Sequence, residues 1–185
     1  MAETPSNMIP LGTVAPDFNL ISPITGETVS YSNCKGEKGT LVMFICNHCP
    51  YVVLVAEAIS ELAKDYQNKG FGVVAISSND VGNYPEDSPE KMITFAKEND
   101  FTFPYLYDET QKVAHAYKAA CTPDFYLFDG EDLLYYRGQM DDARPGNHKT
   151  NDGNDLRNAM DAILNGHNRP QIQKPSCGCN IKWFK

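Results

Sequence analysis

Two cysteines separated by two residues, Cys46 and Cys49, stand in the stretch FICNHCPYV over residues 44–52. That spacing admits three kinds of chemistry. The pair could supply half of a tetrahedral zinc site, with Cys177 and Cys179 completing four thiolates. It could be one bridge of a disulfide framework, which the even count of six cysteines would allow. Or it could be a dithiol that opens and closes by exchange, in which one sulfur must become a thiolate, the form that attacks a disulfide. A chain of 185 residues buries a core large enough to fold without staples, which weighs against the framework.

The flanking elements favour exchange. TLVMFIC (40–46) is an unbroken apolar run of strand length, the pattern of a strand buried on both faces. The following PYVVLVAEAISELAKDYQNKG places Val52, Val55, Ile59, Leu62 and Tyr66 on one helical face and stops at Gly70. Cys46 therefore falls just before a first helical turn, where unpaired N–H groups and the positive end of the macrodipole stabilise negative charge. Pro50 costs little there, because first-turn donors have no intrahelical partner. His48, when protonated, would lower the Cys46 pKa further. Residues three apart on a helix lie about 5–6 Å apart, within the span a disulfide tolerates. On this placement Cys46 is the more exposed sulfur and attacks, and Cys49, one turn deeper, resolves. Structural zinc knuckles lie on loops instead.

The rest of the chain reads as a mixed α/β arrangement. APDFNLISPITGETVSYSNCKGEKG gives two short strands around a turn at Gly26, and FGVVAISSND (71–80) a second buried strand. SPEKMITFAKEND opens a helix with Ser88 as cap and Pro89 at its first position. FPYLYD is a strand, and DETQKVAHAYKAA a helix with Asp108 and Gln111 as a capping box. DFYLFD and LLYYRGQMD form a hairpin turning at Gly130, and NDLRNAMDAILNG is the last helix. Early alternation of strand and helix implies parallel pairing with both sheet faces covered. The tail HNRPQIQKPSCGCNIKWFK has no period and is expected to lie across the surface. The acidic loops NYPEDSPE and QMDDARPG read as solvated, the first near the rim of the site.

A net charge of −8 repels phosphate backbones and anionic lipid, so neither nucleic acid nor membrane is an expected partner. No apolar run approaches the roughly 20 residues of a bilayer span, and MAETPSNMIP lacks the pattern of a secretory signal, which gives a cytoplasmic expectation.

FICNHCPYV at a strand–helix junction, with CTPDFYLFD much later, resembles the thioredoxin superfamily. APDFNL and CKGEKGTLVMF resemble its peroxiredoxin and thioredoxin-like reductase branch, and CGCNIKW a peroxiredoxin-like group within it. The resemblance implies a single thioredoxin-like domain over 1–185, with a core about 11–165 and a tail 166–185: a central mixed sheet with helices on both faces and an N-terminal hairpin. It implies Cys46 as nucleophile, Cys49 as resolving thiol, and Thr122-Pro123 as a dipeptide with a cis bond beside them. Such a bond exposes neighbouring backbone with which an extended substrate can pair, and only proline makes it cheap. Cys121 and Cys179 are possible accessory thiols. The implied activity is thiol–disulfide exchange with a protein or small-molecule disulfide, reset by a thioredoxin-type electron donor, with no cofactor and no metal. Departures matter too. Cys46 stands where peroxiredoxins carry threonine, and Pro123 where they carry arginine, which argues against fast peroxide chemistry. Ile45 replaces the tryptophan of thioredoxins and Thr40 their buried acid, leaving the proton acceptor for Cys49 to a water, His48 or an acid from elsewhere. A peroxide-consuming antioxidant and a zinc-binding or redox-sensing module are the alternatives.

Overall fold

The computed structural model describes residues 3–185. Its strands and helices run in the order β1 (Glu3–Pro5), β2 (Asn19–Ile21), β3 (Thr28–Ser30), α1 (Tyr31–Cys34), β4 (Gly39–Phe44) and α2 (Pro50–Gln67). There follow β5 (Phe71–Ser77), a single 3₁₀ turn (Pro85–Asp87), α3 (Pro89–Glu98), β6 (Tyr105–Tyr107), α4 (Lys112–Ala116) and β7 (Cys121–Thr122). The remainder is β8 (Asp124–Asp129), β9 (Leu134–Gly138), α5 (Asn154–Leu164) and β10 (Cys177–Asn180).

Seven strands form one sheet in the order β3-β2-β6-β5-β4-β8-β9. The apolar run predicted as a doubly buried strand is β4, at the centre, with every residue buried. It pairs in parallel with β5 and antiparallel with β8, and β5 pairs in parallel with β6. Alternation of helix and strand thus gives the parallel half, and the β8–β9 hairpin adds the antiparallel half. Because β4 points side chains to both faces, it belongs to two cores. Leu41, Met43 and Ile45 pack with α2 residues Val52, Val55, Ile59 and Leu62, and with α5 residues Leu156 and Met160. Val42 and Phe44 pack on the other face with Tyr31, Ala114, Tyr117 and Tyr126. The five α2 positions expected on one face are all buried. Full burial of such side chains contributes about 1.5–3 kcal/mol each, so packing on this face anchors the helix that starts at the cysteine pair.

Three expectations are corrected. The tail is not a surface strap: β10 is the middle strand of a second sheet, ordered β1-β10-β7, and Ile181 beyond it lies in the core. Asp108 and Gln111 do not form a capping box. Gln111 takes the left-handed conformation (φ 61°) before α4, while the Asp108 carboxylate accepts from Ala114 N–H at 2.9 Å and from the Ser78 hydroxyl. Gln111 is turned inward because its amide ties down the tail: Nε2 donates to the carbonyls of Ser78 and Lys182, and Oε1 accepts from Phe184 N–H. SYSNC also contains the short helix α1, capped by a reciprocal Ser30–Asn33 hydrogen-bond pair that the hairpin pattern conceals. Ser88 does precede α3, though its hydroxyl reaches no backbone donor.

Candidate active site

The β4 backbone runs out at Phe44, and Ile45 N–H still bonds the Ile76 carbonyl. The chain then leaves the sheet through Cys46–Cys49 and enters α2 with Pro50 at its first position. Cys49, not Cys46, is the N-cap residue. The sulfur nearest the helix donors is therefore the second of the pair, because an N-cap side chain faces the N2 and N3 amides.

Opposite the pair, the Thr122–Pro123 peptide is cis. Thr122 Oγ1 lies 3.4 Å from Cys46 Sγ, and Cys49 Sγ lies 3.1 Å from the Thr122 carbonyl oxygen, which its thiol can donate to. Both sulfurs thus meet one threonine, the last residue of β7. The two differ in charge preference. Cys46 is pushed well up, because it donates a hydrogen bond to Cys49, is buried, and faces the Asp87 carboxylate. Cys49 is pushed down to about 5, chiefly by the Cys46 hydrogen bond, then by the Cys179 thiol and the Val52 and Cys179 N–H groups, against the opposing effect of burial. The direction is opposite to the expectation that Cys46 carries the lowered pKa: Cys46 is the sulfur pushed up and Cys49 the one pushed down. Both residues are closed to solvent, at 1% and 0% exposed, so exposure does not separate the two sulfurs. The cavity beside Tyr51, Pro123 and Cys177 is about 10 Å³, no more than a water's worth of space. A depression of about 980 Å³ between Asp129, Tyr135 and His167 contains neither the pair nor the cis peptide.

Asp87 is the site residue that sequence reasoning missed. It sits in the acidic loop read as solvated, yet it is fully buried. Oδ1 accepts from Asn47 N–H at 2.8 Å and Oδ2 from Asn79 Nδ2 at 2.7 Å. His48 Nδ1 lies 2.7 Å from Oδ2, an ion-pair distance reached off the hydrogen-bond axis, and its ring stacks on Tyr84. Tyr105, the most buried phenol here, donates to Asn47 Oδ1 and fixes the same turn. Nothing local in NYPEDSPE separates Asp87 from its exposed neighbours; closure of the loop against residues 47–48 does. His48 is thus placed by Asp87 rather than solvated.

Cys46, His48 and Asp87 are also the one group among the described residues whose donor atoms, within 4.8 Å of one another, could share a metal ion. The four-thiolate set is not gathered in this way. Both Asp87 oxygens already accept from amide donors, while His48 Nδ1 makes no hydrogen bond.

Cys121 is buried beside the cis peptide, its thiol pushed far up by burial and the nearby Asp124. Cys34 lies in the opposite core, pushed up to about 11 by burial. Cys179 is brought to the pair, and Cys177 lies half-buried two residues back.

A central parallel–antiparallel sheet, helices on both faces and a dithiol at the β4–α2 junction opposite a cis proline define the thioredoxin-like fold. The thioredoxin domain of a thiol-disulfide oxidoreductase from Bacteroides vulgatus superposes with a TM-score of 0.62 at 19% identity, over 81% of this chain and 97% of that one. The chain belongs to the AhpC/TSA family, whose sequence pattern it matches over residues 11–137. The crystal structure of an uncharacterized conserved protein from Geobacillus kaustophilus is similar along the whole chain: 53% identity, TM-score 0.97, covering 100% of this chain and 97% of that one. The thiol-disulfide oxidoreductase ResA of Oceanobacillus iheyensis is 29% identical over 121 residues, 63% of this chain and 58% of that protein's length. No helix of the described residues is long and apolar enough to cross a membrane.

Proposed function

We propose that the protein is a thiol–disulfide oxidoreductase whose working pair is Cys46 and Cys49, supported by His48, Thr122 and Pro123. One observation carries the reading: both sulfurs contact Thr122 of the cis Thr122–Pro123 peptide at the junction of a core strand and a helix. The curated relatives named as thiol-disulfide oxidoreductases support it.

The proton arrangement supplies the acceptor that the sequence leaves open. Cys49 is the sulfur pushed down, so when it is ionised it takes the Cys46 proton as Cys46 attacks one sulfur of a substrate disulfide. The mixed disulfide forms on Cys46 and the first substrate thiolate leaves, taking the proton back from Cys49. Cys49 then attacks Cys46, the second substrate thiolate departs, and Cys46–Cys49 is left oxidised. Asp87 opposes charge on Cys46 in the closed state, and His48 Nδ1 lies 2.7 Å from the same carboxylate. The substrate is a protein or small-molecule disulfide, and an external dithiol of thioredoxin type restores the pair. In a cytoplasmic setting the pair works as a reductant.

Reduction of insulin and of a small aromatic disulfide by the wild type and by Cys46→Ser tests this. Loss of both activities in the variant is expected; equal rates would end the proposal. In Cys49→Ser a stable mixed disulfide should collect on Cys46, and its appearance on another cysteine would reverse the roles. A second reading, peroxide reduction with Cys49 as the attacking thiolate, is favoured by the depressed Cys49 pKa. Stopped-flow mixing with hydrogen peroxide separates the two, since only the second consumes thiols at micromolar peroxide.

A further inference from the structure

The edge beside the cis peptide is already taken. β10 pairs antiparallel with β7, setting Cys179 opposite Thr122 and Asn180 opposite Cys121. This is the backbone position where an extended substrate would lie if it paired next to the dithiol, and the chain fills it with its own cysteine. Cys179 is set opposite the same Thr122 whose carbonyl oxygen lies 3.1 Å from Cys49 Sγ, and it shares the buried cluster of Cys46 and Cys49. Placement is firm on both sides. β1 pairs with the outer edge of β10, Ser176 Oγ donates to the Pro123 carbonyl at 2.7 Å, and Ile181 N–H bonds the Ala120 carbonyl. Asn79 joins this strand to the charged side of the site, its Nδ2 on Asp87 and its Oδ1 accepting from Lys182 N–H. Gly178 is required for the fit: a Cβ there would stand 2.0 Å from the Thr122 carbonyl oxygen.

We propose that Cys179 is a third redox thiol, a tethered partner that exchanges with the oxidised pair. This rests on the dithiol reading above and extends it. The Cys179 sulfur attacks Cys49 Sγ of the Cys46–Cys49 disulfide. A Cys49–Cys179 bond forms, the Cys46–Cys49 bond breaks, and the proton from Cys179 ends on Cys46. The step is redox-neutral within the chain: one disulfide replaces another. It moves the disulfide from the core turn to the tail strand; Cys179 is itself buried, 3% exposed, so an external dithiol attacks it when β10 lifts, and returns both cysteines to thiols while itself becoming a disulfide. Cys49 is the hub, flanked by Cys46 on one side and Cys179 on the other.

The test treats the reduced full chain with one equivalent of diamide, blocks remaining thiols with N-ethylmaleimide in acid, and maps disulfides by mass spectrometry of a non-reducing digest. In Cys46→Ser, an intramolecular Cys49–Cys179 linkage with loss of both free thiols supports the proposal. Maleimide on Cys179, or Cys179 linked only to Cys177 or to a second chain, overturns it. Wild type needs no substitution and guards against a misfolded variant: peptides carrying Cys46–Cys49 and Cys49–Cys179 should both appear, and complete absence of the second overturns the exchange. This readout is independent of turnover. If Cys46→Ser still reduces insulin yet forms Cys49–Cys179, the functional reading fails and the third thiol stands; the converse result fails only the third thiol.

Discussion

Replacing Gly178 by alanine should uncover the dithiol without dismantling the main sheet. The added methyl would meet the Thr122 carbonyl oxygen at 2.0 Å and its carbon at 2.7 Å. Both are backbone atoms held by the cis peptide and β8, so no side-chain rotation relieves the contact, and β10 must move away from β7. Inserting a methylene-sized group into a packed site costs about 1–3 kcal/mol. Parting the two strands relieves that cost, so the population with the strand lifted should rise by the corresponding factor, roughly 5- to 150-fold at 1.36 kcal/mol per tenfold change. Cys46 and Cys49 are closed to solvent, so their alkylation must pass through such openings and should accelerate by the same factor. The assay is iodoacetamide labelling of the reduced protein at neutral pH, resolved by peptide, with circular dichroism and urea unfolding in parallel. Cys34, in the opposite core, is the internal control and should not change. Cys46 and Cys49 labelling within twofold of wild type, with native dichroism, would show that β10 is not what closes the site. Acceleration of Cys34 to the same degree would show general loosening instead.

Other outcomes follow from the buried charges. Asp124, fully buried after the cis proline, is pushed up from 3.8 to about 6 by burial. An acid whose folded pKa is raised loses stability as pH climbs between those values, and the loss, about 3 kcal/mol, is complete above the upper one. Asp124→Asn should flatten the urea midpoint between pH 4 and 6, and a midpoint still falling there would assign the slope to another group. The depressed Cys49 thiol has the opposite sense: stability is present above the unfolded thiol range and is lost as pH falls through about 5. Ultraviolet thiolate absorbance should titrate near that value and vanish in Cys49→Ser; survival there would place the charge on Cys46. Asp87→Asn removes the carboxylate facing Cys46. Cys46 should alkylate faster at neutral pH once the strand is lifted, and stability should fall by about 1.5–3 kcal/mol per weakened charged hydrogen bond, measured by urea unfolding.

Much of this could be read from the chain because the signals were local. β4 announced itself as an apolar run and α2 through Val52, Val55, Ile59, Leu62 and Tyr66, whereas the cis Thr122–Pro123 bond was implied only by the resemblance that CTPDFYLFD carries. What escaped depends on distant closure. Asp87 acquires its role only when its loop folds onto Asn47 and His48, and an acidic loop looks the same whether its middle is buried or wet. CGCN has no alternation to mark it as a strand. Its glycine and cysteines are chosen by the backbone of Thr122, more than fifty positions away in sequence. The exchange of proton preference between Cys46 and Cys49 has the same origin: spacing places both near a helix end, but the start of α2 at Pro50 and the approach of Cys179 decide which sulfur the amides face.

The β1-β10-β7 sheet joins residues near the two ends of the chain, Glu3 against Cys179. Contacts of such wide separation carry the largest loop-closure entropy and tend to be gained late in folding. The seven-stranded sheet can therefore be assembled while the small one is open. An early folded form would present a bare dithiol, and maturation would consist of two ends meeting to shut it. A change that loosens β1 or β10 is accordingly an intervention at the sulfur centre.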